Sequence, residues 1–220
     1  MKGLFAFILL SLSFLQGFAQ NEQSPMVEKT FDYKDWTYKN IRTDESTNLR
    51  ELTKGKKLVM VVYFAPWCPN WKYDAPLVQK LYDKYKGSGL EVIAVGEYDP
   101  VASMRAHLEE FKISFPAVYE SDLRTTRETT THALQRRQTG DTRKWGSPWY
   151  IFLETSTIEK TGDVLTKKTN IVNGELIRDE AEKFIRAKLG MSAETAKTGL
   201  SSTKSIEVCE PEKPVTLKKP

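Results

Sequence analysis

Leu58-Val59-Met60-Val61-Val62-Tyr63-Phe64 is an unbroken apolar run. Its lack of alternation and its β-branched and aromatic content predict a strand buried on both faces. Tyr73, Leu77, Leu81 and Tyr85 then recur four apart within 70–86, the stripe of a helix packed on a sheet. Gly87-Ser88-Gly89 interrupts the pattern, and Leu90 to Gly96 reads as a second strand. Together these segments predict a βαβ unit with parallel strands. Asp99-Pro100 opens a second helix, with Val101, Met104, Leu108 and Phe111 at helical spacing. Phe115 to Tyr119 is short and carries Pro116, which predicts an extended connection or an edge strand. Trp149 to Leu153 and Val164 to Val172 read as an antiparallel pair around Thr161-Gly162-Asp163, ended by Asn173-Gly174. Leu176 to Leu189 is an amphipathic closing helix stopped at Gly190. The class is α/β, with a central mixed sheet flanked by helices.

The remaining stretches carry weaker signals. Residues 20–39 are polar with scattered aromatics at Phe31, Tyr33, Trp36 and Tyr38, as expected of an N-terminal extension that packs loosely. Residues 120–144 are threonine-rich, so their centre predicts a poor helix in a partly mobile segment. Residues 191–220 are low in apolar side chains and dense in Ser, Thr, Lys, Glu and Pro, which predicts a disordered tail. At the other end, Lys2, an apolar core from Leu4 to Leu15 and Gly17-Phe18-Ala19 make residues 1–19 a signal peptide cleaved before Gln20. That core falls short of the roughly 20 residues a spanning helix needs. The layout expected is therefore leader 1–19, extension 20–45, domain 46–190 and tail 191–220, with no stable membrane span after cleavage.

Composition narrows the function classes. Apolar residues at 40% and charged residues at 28% suit one soluble domain with tails. The formal charge of +4, or +3 once Lys2 is removed, is too small to suggest a nucleic-acid partner. His107 and His132 are the only histidines, and neither has a His or Cys neighbour at ligand spacing, so no metal or other cofactor is expected. Arg136, Arg137, Arg143 and Lys144 form a basic run that either steers an acidic partner or is a solvated face.

The chemistry is expected at Cys68, which follows the buried strand and opens the first helix. A helix N-terminus supplies unpaired N–H groups and the positive end of the dipole, which stabilise negative charge on a sulfur placed there. A buried, inert cysteine is the alternative.

Trp67-Cys68-Pro69, followed by Lys72, Asp74 and Pro76, resembles the active-site motif of the TlpA-like branch of the thioredoxin-like superfamily, which is exported and exchanges thiols with disulfides. The likeness covers about residues 46–190 and implies the thioredoxin-like fold. The active-site motif then spans Trp67, Pro69, Asn70 and Trp71 around a catalytic Cys68. The resemblance also implies a cis peptide before Pro148, with the Ser147 and Pro148 segment facing Cys68 and pairing with an extended substrate. The second cysteine of the family's Cys-x-x-Cys falls on Trp71, which either fills space or offers an apolar contact surface. Asp74 matches the family's acid, although an acid in a helix's first turns is expected to be solvated.

Three functions follow. A single-thiol oxidoreductase would act through a mixed disulfide on a protein thiol or disulfide. It would be resolved by an external, low-molecular-weight thiol or by Cys209, which is otherwise an incidental tail thiol. In that reading Trp71→Cys should raise turnover. A non-catalytic peptide-binding module is the second function. The third is a one-cysteine peroxidase, disfavoured because Ala65 stands where those enzymes carry threonine. The expected location is periplasmic or extracellular.

Overall fold

The computed structural model describes residues 23–191. Four short strands come first: β1 (Gln23–Ser24), β2 (Val27–Lys34), β3 (Thr37–Asn40) and β4 (Ser46–Asn48), followed by the single-turn α1 (Leu49–Thr53). Next come β5 (Leu58–Phe64), α2 (Pro69–Tyr85), β6 (Leu90–Gly96), α3 (Val101–Glu110), β7 (Ala117–Tyr119) and α4 (Thr131–Gln138). The chain closes with β8 (Trp149–Glu154), β9 (Val164–Val172), β10 (Glu175–Leu176) and α5 (Arg178–Lys188).

An eight-stranded mixed sheet runs in the order β2-β9-β8-β5-β6-β7-β3-β4. β5 lies near its middle, parallel to β6 and antiparallel to β8. All of β5 is buried because it faces a core on each side. Leu58, Met60, Val62 and Phe64 point into one core with Val78 and Leu81 of α2 and Ile185 of α5. Val59, Val61 and Tyr63 point into a second core with Trp149, Ile151 and Leu165. Each such side chain contributes about 1.5–3 kcal/mol by leaving water.

The structure departs from the sequence reading in four places. Residues 27–40 do not pack loosely: β2 extends the sheet antiparallel to β9, and β3 pairs with β7. Phe31, Tyr33 and Trp36 fill the second core, with Tyr33 fully buried. The alternation that sends Phe31 and Tyr33 inward is only two side chains long, which is why it carried little signal. Pro116 marks no edge, because β7 sits between β6 and β3. Pro116 itself precedes β7, so no ladder bond is lost. In α2 the buried stripe includes Trp71, Ala75, Val78, Leu81 and Tyr85, while Tyr73 is 55% exposed. The larger indole sets the helix's rotation. Within 120–144, α4 forms and buries His132, Gln135 and Arg136. Its N-cap Thr130 accepts from Ala133 N, which offsets the weak propensity. The proposed leader at 1–19 and the tail carrying Cys209 lie outside the described residues.

Candidate functional site

The register of β5 with β8 builds the site. Tyr63 pairs with Trp149 in an antiparallel ladder, so the residues before Trp149 lie against those after Tyr63. The chain leaves β5 through Ala65, Pro66 and Trp67, and the Cys68 amide closes that turn by donating to Ala65 O at 2.9 Å. Cys68 has extended backbone angles and is the N-cap of α2, with Pro69 as the first helical residue. Proline suits that position because its missing N–H would be unpaired there anyway.

The Cys68 thiol is 6% exposed, and its Sγ–H donates to the Ser147 carbonyl at 3.2 Å. The Ser147 hydroxyl accepts from the Ala65 amide at 3.0 Å, so the segment before β8 is tied twice to the end of β5. The Ser147–Pro148 peptide is cis. Cys68 and Ser147 thus meet directly, and Pro148 is buried beside them.

The rest of the motif divides. Pro69 is exposed and Asn70 half-buried. Trp67 is half-buried and meets Trp145 edge-on at 5.1 Å, with the Arg124 guanidinium 5.0 Å over its ring. Trp71 points the other way. It is fully buried, packs on Phe64 at 5.3 Å, and its Nε1–H donates to His107 Nε2 at 2.7 Å. His107 accepts only when neutral, and burial, aided by Lys72, pushes its imidazole down to about 4. Of the two uses left open for Trp71, packing is the one its burial allows.

Asp74 is not solvated. It is fully buried, and its Oδ2 accepts from Tyr150 OH at 2.6 Å and from the Leu176 amide at 2.8 Å. Burial raises its carboxyl from 3.8 to about 6, although the two hydrogen bonds pull it down. The basic run divides: Arg137 and Lys144 are exposed, as on a solvated face, whereas Arg136 and Arg143 are held by the protein. Arg136 is 2% exposed and pairs with Asp141 at 3.1 Å. Arg143 grips the same carboxylate at 2.7 Å and donates to Pro148 O at 3.0 Å. Burial works against the Asp141 charge, but these guanidiniums outweigh it and hold the carboxyl below its ordinary range. Arg137 pairs with Glu128.

Tyr150, His132 and Trp145 were not read from the sequence as parts of this site. Tyr150 follows from the β8 alternation, but its partner Asp74 is 76 residues away. Gly146 has a similar hidden role, with a φ of +60° and the Arg136 Nε only 2.0 Å from where a Cβ would sit. Arg136 is fixed by Asp141 and cannot yield cheaply. Gly146→Ala should therefore destabilise the protein by about 3 kcal/mol, combining a left-handed alanine with overpacking. Urea denaturation checks it, and a change under about 1 kcal/mol would contradict this packing.

Comparison with known proteins agrees with the geometry. The AhpC/TSA family matches residues 31–139, a span that takes in Cys68 and stops short of Ser147. The thiol-disulfide oxidoreductase ResA of Halalkalibacterium halodurans is 35% identical over 79 residues, covering 36% of this chain and 44% of ResA. This chain therefore spans less than half the length of that curated relative. A chloroplastic peroxiredoxin Q of Gentiana triflora is 25% identical over 166 residues, covering 73% of this chain and 65% of the peroxiredoxin. Among solved structures, a secreted thiol-disulfide isomerase from Corynebacterium glutamicum superposes with a TM-score of 0.54 at 11% identity, over 74% of this chain and 92% of its own. That likeness speaks to fold alone. No helix among the described residues is long and apolar enough to cross a membrane. With the cysteine at the strand-to-helix junction, the cis-proline segment facing it and these matches, the chain has the thioredoxin-like fold and is similar over residues 31–139 to the AhpC/TSA family.

Proposed function

We propose that this chain is an exported thiol-disulfide oxidoreductase that works through one thiol, Cys68. The observation that carries the reading is the Cys68 Sγ at the N-cap of α2, 3.2 Å from the Ser147 carbonyl, with position 71 closed by a buried tryptophan. Cys68 is the only cysteine among the described residues. Its thiol proton passes to solvent, and the thiolate attacks one sulfur of a substrate disulfide. A Cys68–substrate disulfide forms, the substrate's own S–S bond breaks, and the departing thiolate takes up a proton. Release needs a second thiolate to attack the substrate sulfur in line, expelling Cys68. That thiol is external, or it is Cys209. The backbone of Ser147 and Pro148 would hold the substrate segment. Export rests on the leader-like residues 1–19.

The peroxidase reading draws on the AhpC/TSA match, yet Ala65 offers no hydroxyl beside Cys68. The binding-module reading loses its contact surface, since Trp71 is buried.

The test mixes the reduced, leader-free protein with an oxidised peptide disulfide and follows intact mass. A Cys68-linked peptide adduct, absent in Cys68→Ser and discharged by added thiol, is the expected result. No adduct would overturn the reading, and consumption of hydrogen peroxide dependent on Cys68 would move the chain to the peroxidases.

A further inference from the structure

The interior behind the candidate site holds a histidine that the proposed chemistry does not use. His132 is fully buried on α4, in the segment between β7 and β8. Its Nε2 lies 3.2 Å from the Gly146 carbonyl, and its Nδ1 lies 2.8 Å from Tyr98 OH. A carbonyl only accepts, so Nε2 carries the imidazole proton and Nδ1 accepts from the tyrosine hydroxyl. The ring stacks on Tyr63 of β5 at 4.7 Å, with 7° between the planes. One side chain therefore spans the strand that leads to Cys68 and the turn that faces it.

Each of its neighbours is held in turn. Glu120 caps α4 by accepting from the amides of Thr131 and His132, the latter at 3.1 Å. Tyr98 has a φ of +61°, a left-handed backbone that strains a non-glycine residue. Its amide donates to Ser121 O at 2.8 Å, and its hydroxyl meets Thr130 Oγ1 at 3.1 Å as well as His132. Such a backbone persists only where its surroundings determine it. Burial pushes the His132 imidazole down to about 3, so it stays neutral with a single tautomer near neutral pH.

We propose that His132 is a positioning residue: its Nε2–H fixes the Gly146 carbonyl and so holds the Gly146-Ser147-Pro148 turn, whose Ser147 carbonyl meets the Cys68 thiol. This rests on the single-thiol reading above, in which that turn receives the substrate segment. The turn matters for disulfide exchange and not for attack on a small alkylating agent, because only the former needs an extended partner aligned in it.

The experiment compares His132→Phe, which keeps the ring stack and loses both hydrogen bonds, with His132→Gln, whose amide still reaches Gly146 O. Tyr98→Phe, which removes the partner that sets the tautomer, serves as a second route should His132→Phe not fold. For each, the rate of Cys68 alkylation by iodoacetamide is set beside the rate of adduct formation with an oxidised peptide disulfide. Misalignment by about an ångström costs up to about a hundredfold, so His132→Phe should slow exchange by at least about tenfold while alkylation stays within about threefold. His132→Gln should keep both rates within about threefold of wild type, and Tyr98→Phe should repeat the Phe split more weakly. Exchange unchanged in His132→Phe, or in Tyr98→Phe where it stands in, overturns the proposal. Equal losses in Phe and Gln, or equal losses in alkylation and exchange, also overturn it. If the wild type forms no peptide adduct, the single-thiol reading fails by itself. Imidazole ¹⁵N shifts then decide the positioning: protonated Nε2 and bare Nδ1, with the Gly146 signal displaced by Phe and kept by Gln, supports it, and the opposite tautomer rejects it.

Discussion

Trp71→Cys should lose about 5 kcal/mol of stability instead of gaining turnover, because a Trp-to-small change in a core costs about 3–5 kcal/mol and an orphaned buried acceptor about 1–3 more. Trp71 is fully buried between Phe64 and His107, and its indole N–H is the partner of His107 Nε2. Truncation leaves a cavity against β5 and a neutral imidazole nitrogen with nothing to accept. A loss of that size is comparable to the whole stability of many domains. Urea denaturation should show the midpoint falling with little change in slope. Trp71→Phe, which keeps most of the volume and loses only the donor, should cost about 1–3 kcal/mol. A Trp71→Cys protein as stable as wild type, with faster turnover, would show that position 71 is an open slot for a second thiol and that the packing described here does not restrict it. The expectation that a cysteine there raises turnover considers the thiol but not the volume it would replace.

Asp74 should make stability fall as pH rises from about 4 to about 6. Its carboxyl titrates at 3.8 when solvated and at about 6 when folded, so across that window the folded protein keeps a proton that the unfolded chain has released. The contribution is fully present below pH 4 and lost by pH 6 and above, and its size is about 3 kcal/mol. His107 and His132 act in the opposite sense. Both are depressed below 6.5 by burial, so their contribution is present above that value and is lost as pH falls towards 4 and 3 respectively. The wild-type profile mixes these slopes, and the difference between wild type and Asp74→Asn isolates the carboxyl. An asparagine oxygen keeps both bonds, from Tyr150 OH and the Leu176 amide, without the charge. The variant should gain on wild type by about 3 kcal/mol between pH 4 and 7, read from urea midpoints at each pH. Parallel profiles would mean that Asp74 titrates normally, through water that reaches it.

Much of the framework was legible in the chain because local rules determine it. The unalternating run 58–64 demanded a strand covered on both faces, and Cys68 had to fall at the start of the following helix, whatever the tertiary details. The spacing of Trp67-Cys68-Pro69, Lys72, Asp74 and Pro76 carried the family, and the prolyl segment at 147–148 followed from it. Pairings between distant residues had no local signature. Phe31 and Tyr33 looked like aromatics of a loose arm, and they are core because β2 pairs with β9, about 130 residues or more further on. Asp74 looked like a solvated helix acid until Tyr150 and Leu176 met it in the interior. Trp71 could be packing or surface, and the rotation of α2 against β5 decided it. His132 offered only the absence of a metal pattern, and its place between Tyr63 and Gly146 exists because α4 folds behind the turn that faces the thiol. Periodicity within the chain determined the elements and the site of the cysteine. Tertiary packing decided which polar groups are buried and with whom, because desolvation and hydrogen-bond pairing depend on neighbours that the order of residues does not name.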